Sequence, residues 1–171
     1  MKHAFMLLWR LLDWAQQIVM VAASVSIVTL ILVQVVLRYF FRMPIFGVEE
    51  LACLFGFWLY FIGAANGSRE SSHIKADILN VFVTNERVLN IAKAVIAFIT
   101  LVLSGIFIEW TSSYVSWSFV TWERSPSLRI PMVCAQASLF VSSILMFFYF
   151  AVEFVDYVRQ ARGYPPFDLT V

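Results

Sequence analysis

The 171 residues are 61% hydrophobic and 13% charged, with a mean hydropathy of +0.83, more apolar side chain than a soluble domain of this length can bury. The net charge of +1 gives no basis for nucleic-acid binding. Cys53 and Cys134 lie inside apolar runs without a CxxC or Cys/His cluster, which argues against a disulfide scaffold or a zinc site. One integral membrane domain over residues 1–171 is expected, all-α, with four tilted transmembrane helices at about 14–38, 50–68, 88–118 and 130–153.

The chain begins with Lys2, His3, Arg10 and Asp13 set among Phe5, Leu7, Leu8, Trp9 and Leu12. The apolar run that follows is too long for a signal peptide and lacks an A-x-A site, so an amphipathic interfacial lead-in is expected to run into the first span. That span is charge-free from Trp14 to Leu37 and closes on Arg38 and Tyr39, with aromatic residues placed for the interfacial belt. Pro44 and Gly47 break the connection RYFFRMPIFGVEE.

The second span opens on Glu49 and Glu50 and is charge-free from Leu51 to Ser68, after which come Arg69, Glu70, His73, Lys75 and Asp77. On a helical wheel Ala52, Gly56, Gly63 and Gly67 fall within about 60° of one another, with Glu49 at the edge of their stripe. Gly63 and Gly67 have the small-xxx-small spacing that lets membrane helices approach closely. The segment Ile78 to Val83 is apolar enough to form a second interfacial stretch between helices 2 and 3, and Thr84 or Asn85 suits a cap for the next helix.

A single long helix from near Glu86 to about Trp117 best accommodates Glu109 within an otherwise apolar third span. It carries a small and hydroxyl stripe of its own, Lys93, Ala97, Thr100, Ser104, Thr111 and Ser118, from which Glu109 points away. ERSPSLRIP forms a turn before the fourth span. With four spans both termini share one side. Lys2, Arg10, Arg69, Lys75, Arg87, Lys93, Arg159 and Arg162 then lie inside and Arg38, Arg42, Arg124 and Arg129 outside, which favours cytoplasmic termini.

Several residues invite a functional reading. Glu49 and Glu50 read either as a cation or proton site or as helix N-terminal carboxylates that complement the macrodipole and meet a lysine or arginine of a partner subunit. Arg69, His73 and Asp77 read as a pH-sensitive cluster or as an ordinary solvated loop. Glu109 reads as a proton relay or as an interface residue. No triad, P-loop, metal motif or intramembrane histidine pair occurs, so neither an enzyme nor a cofactor is expected.

The stretch VLRYFFRMPIFGVEELACLFGFWLYFIGAANGSRESSHIKADIL resembles the small membrane subunit (DctQ type) of TRAP transporters. The shared features are a basic-aromatic end to the first span, a proline, paired acids, an aromatic-rich second span and a His-x-x-x-Asp step at His73 and Asp77. SPSLRIPMVCAQASLFVSSIL is similar to the family's entry into its last helix, with Pro126, Leu128 and Pro131 in place.

The resemblance implies a bacterial inner-membrane, sodium-coupled secondary transporter taking up an organic acid of the C4-dicarboxylate or sialic acid type. Within it this chain would scaffold a large elevator-type permease subunit, with a periplasmic substrate-binding protein as a transient partner. The interface candidates are then Glu49, Glu50, Ala52, Gly56, Gly63, Gly67, Arg69, His73, Asp77 and Glu109, and Arg38 and Arg42 are candidates for lipid headgroups. The chain has no broken-helix pair of its own, which agrees with a companion role. The rival readings are a stand-alone proton-coupled exporter, which lacks the acid it would need in the first span, and a membrane anchor subunit of a respiratory enzyme, which lacks intramembrane histidines.

Overall fold

The computed structural model describes residues 2–43, 46–70, 86–162 and 164. It contains four long helices: α1 (Lys2–Tyr39), α2 (Val48–Glu70), α3 (Glu86–Thr121) and α4 (Val133–Ala161). Each is long and apolar enough to cross a membrane, so the chain is an all-α, multi-pass membrane protein. No strand occurs among the described residues. An isolated antiparallel bridge joins Arg124 to Pro131.

The expected lead-in and the first span form one helix of 38 residues, roughly 57 Å long against a hydrocarbon core of about 30 Å. Leu7, Leu11, Trp14, Ile18, Val21, Val25, Val28 and Leu32 run along its exposed side at three- and four-residue spacing, while Gln16 and Ala23 are buried. Helix α3 runs unbroken through Glu109, as the sequence predicts, and continues to Thr121. Its Thr100 and Ser104 hydroxyls donate back to the carbonyls of Ile96 and Leu101, so these polar groups sit in an apolar helix with their donors used.

Helix α4 starts later than the predicted span because the preceding residues close the turn. Ser125 N–H donates to Ile130 O, and Met132 N–H donates to Glu123 O. It runs on past Glu153 and Asp156 to Ala161, helped in its last turns by an amide donation from Gln160 to Asp156 at 2.8 Å. It is the most buried of the four: 28% of its most apolar window is buried, against 6% for α1.

The described chain divides into two units, Met1–Gly63 with Thr111–Ser142 and Ala64–Trp110 with Ser143–Val171. In the first, Val48, Val133 and Ala135 are buried with Ser118 and Ser138. The indole N–H of Trp58 donates to the carbonyl of Cys134 at 3.0 Å, tying the middle of α2 to the start of α4. In the second, Phe98 packs on Phe154 with ring centroids 5.7 Å apart, and Tyr149, Phe150 and Tyr157 are buried.

Candidate functional site

The N-terminus of α2 is built by a glycine. Gly47 adopts φ +94°, which L side chains rarely take, and its carbonyl accepts the N–H groups of Glu50 and Leu51 to start the helix. A β-carbon here would stand 2.5 Å from Leu128 Cγ. Only a residue without a side chain allows both the turn and this close approach of the 123–131 segment.

That approach is fixed by Glu50. Its carboxylate accepts three hydrogen bonds from the turn: Ser125 Oγ donates to Oε2 at 2.6 Å, the Leu128 N–H to Oε2 at 2.9 Å, and the Ser127 N–H to Oε1 at 2.8 Å. Ser125 is buried, and its hydroxyl also receives the N–H of Ile130 at 3.3 Å. The turn has no ladder to satisfy its N–H groups, and one carboxylate takes two of them. Two residues of the turn's flanks, Trp122 and Arg129, hold positive φ, so the chain reverses sharply around this anchor.

Glu49, one residue earlier, differs. It is exposed and accepts a single donation, from Gln34 Nε2 to Oε1 at 3.1 Å. Its second oxygen has no donor, and neither carboxylate pairs with a cation, among the described residues. Both acids lie in the first turn of α2, where they complement the helix dipole.

The stripe of small residues on α2 is open. A β-carbon at Gly56 or Gly67 would meet no atom within 4 Å, and at Gly63 only the sulfur of Met20, at 3.8 Å. Ala52 is half-buried. Burial along α2 falls instead on Ile62 and Ala65, away from the glycines, with Val48 buried at the helix start. The stripe on α3 has the opposite fate: Ala97, Ser104, Thr111 and Ser118 are all buried.

The remaining candidates are dispersed. Arg69 is half-buried in the last turn of α2, and Glu109 is exposed on α3. Arg38 and Arg42 are exposed around the end of α1, and Arg42 takes a left-handed conformation with φ 54°. His73 and Asp77, together with the expected interfacial stretch at 78–83 and the cap at 84 or 85, lie outside the described residues.

Sequence reading alone missed Ser125, Ser127 and Gln34. The first two stand in a Ser-Pro-Ser turn about 75 residues from the acid they serve, beyond any local periodicity. Gln34 had a visible signal, an amide in an otherwise apolar span, which requires a hydrogen-bond partner in lipid.

Residues 27–160, well over half of the chain, match the family model described as the DctQ component of tripartite ATP-independent periplasmic transporters. No curated protein matches the chain.

Proposed function

The chain belongs to the DctQ family, the small component of tripartite ATP-independent periplasmic transporters, and we propose that it acts there as a fixed scaffold against which a large multi-span permease subunit works. In this reading the transporter lies in the bacterial inner membrane with both termini of this chain cytoplasmic. It takes up an organic acid with sodium, and a periplasmic binding protein delivers the acid transiently. The substrate and ion contacts belong to the partners, and this chain contributes no transport site of its own.

The observation that carries the scaffold reading is the open glycine stripe of α2. Between membrane helices there is no water to drive apolar faces together, so association depends on close packing and on small residues that permit it. A chain that packs the opposite side of α2 and leaves Gly56 and Gly67 facing empty space retains a surface suited to another helix. The interface in this reading runs along Ala52, Gly56, Gly63 and Gly67, with Glu49 and Glu50 at one end and Arg69, His73 and Asp77 at the other. Glu109 is a further partner-facing acid, and Arg38 and Arg42 hold lipid headgroups at the rim.

The test is co-purification of this chain with the large subunit, one of them tagged, followed by sodium-driven uptake in proteoliposomes with and without this chain. A stable complex whose transport is lost when this chain is omitted is the expected result. Ion-driven flux by this chain alone would replace the scaffold with a transporter and return Glu49 and Glu50 to a coupling role.

A further inference from the structure

Within the unit of Ala64–Trp110 and Ser143–Val171, the start of α3 and the end of α4 leave a groove of about 360 Å3 between them. Ile91, Val95 and Phe98 form one wall, and Phe154 and Val158 form the other. Phe98 and Phe154 meet with ring centroids 5.7 Å apart, at the end of the groove toward the middle of both spans. Arg162 stands at the opposite end, one residue past α4. Its N–H still donates to Val158 O at 3.3 Å, which holds it at the mouth.

The groove spans the border between headgroups and hydrocarbon. Residues 94–108 of α3 are charge-free, whereas Glu153, Asp156, Arg159 and Arg162 bring charge into the last turns of α4. The two acids turn away from the groove. At 100° per residue Phe154, Val158, Ala161 and Arg162 span about 100°, and both acids fall more than about 100° from the centre of that arc. Asp156 also accepts from Gln160 at 2.8 Å. Lys93 and Arg159 are already engaged. Arg162 is exposed, and its side chain has no partner among the described residues.

Such a groove offers water no partners along its walls. It suits an amphiphile of opposite charge, whose acyl chain needs apolar walls and whose headgroup needs a cation only outside them. Basic pockets between membrane helices hold acidic lipid headgroups in this way, and a guanidinium presents paired donors to a phosphate.

We propose that this groove binds one anionic phospholipid from the leaflet in which α4 ends, an acyl chain lying along the apolar walls down to Phe98 and Phe154 and the headgroup phosphate on Arg162. The site is independent of the companion-subunit reading and separate from the headgroup contacts of Arg38 and Arg42.

Photo-crosslinking locates the lipid. The full chain in detergent is irradiated with phosphatidylglycerol carrying a diazirine in its acyl chain, then digested, and label on residues 91–98 and 154–158 is expected. Native mass spectrometry measures the preference. From micelles holding equal amounts of phosphatidylglycerol and phosphatidylcholine, the chain should retain the first about fivefold over the second, and Arg162→Gln should remove that preference. Arg129→Gln, which removes the same charge in the turn before α4, should keep it. Ala94→Phe narrows the groove and should reduce retention of both lipids.

Label confined to other segments overturns the proposal, as does equal retention of the two lipids by the wild-type chain. A preference that survives Arg162→Gln, or that Arg129→Gln removes as well, reports overall charge rather than this site and also overturns it. An Ala94→Phe chain that retains its lipids unchanged places them elsewhere; if that chain also loses the large subunit, the groove takes a partner helix instead. Should a variant fold poorly, the positions of the label on the wild-type chain still decide.

Discussion

Helices α2 and α3 carry stripes of the same character, small residues at helical spacing, yet their surroundings are opposite. On α3, Ala97, Ser104, Thr111 and Ser118 are buried. On α2, added β-carbons at Gly56 and Gly67 would touch nothing. A stripe of small residues therefore marks where a close approach is permitted and leaves open which partner makes it. The difference lies in what the other faces offer. Helix α2 has a second surface, Trp58, Ile62 and Ala65, that engages the chain's own residues and leaves the glycines for something else.

The largest effect that would break this comparison is expected at Ser118, which is fully buried. Ser118→Leu forces a large side chain into a filled site and should cost the isolated chain about 1–3 kcal/mol, read as a lower unfolding temperature in detergent. Ser118→Ala should leave stability unchanged or raise it, because the Ser118 hydroxyl has no hydrogen-bond partner among the described residues. If the leucine variant proves as stable as the wild type, the α3 stripe is not closely packed and the contrast collapses.

Next in size is the junction that orients α2. Gly47→Ala places a side chain at φ +94° and against Leu128, which should cost about 1–2 kcal/mol from the left-handed conformation alone. Glu50→Ala should act in the same direction by stranding the Ser125 hydroxyl and the N–H groups of Ser127 and Leu128. Both are measured on the isolated chain. A Gly47→Ala chain with wild-type stability would show that the turn yields without loss. Trp58→Phe is smaller still, about 1 kcal/mol for one lost donation to the Cys134 carbonyl.

These junction residues also show where sequence reading stops. Three of the helices were legible because each rests on a long charge-free run, and α3, with its continuity through Glu109, followed from two flanking apolar stretches that were each too short alone. The end of α4 was not, since Glu153, Asp156 and Arg159 mark the edge of a span and say nothing against a helix that continues beyond it. The paired acids were legible as a feature, but their division of labour was not. Glu50 is committed to a turn far away in the chain and Glu49 is left exposed, and adjacent identical residues carry no local signal that separates them.

The smallest expected effect on the chain itself is the most informative about its partner. At Gly56 an added β-carbon meets nothing within 4 Å, so Gly56→Leu should cost the isolated chain little stability. Replacing a helical glycine should if anything help, by up to about 0.5–1 kcal/mol. Gly63→Leu should cost the isolated chain slightly more, since its β-carbon meets the flexible end of Met20 at 3.8 Å. In complex with the large subunit the same leucine at residue 56 should hold two helices apart and sharply reduce the amount of partner retained, because dispersion contacts are lost as soon as a gap opens. Stability kept and association lost would place the partner on the α2 stripe. If both are kept, the stripe faces lipid, and its openness reflects only that the chain's other residues pack elsewhere.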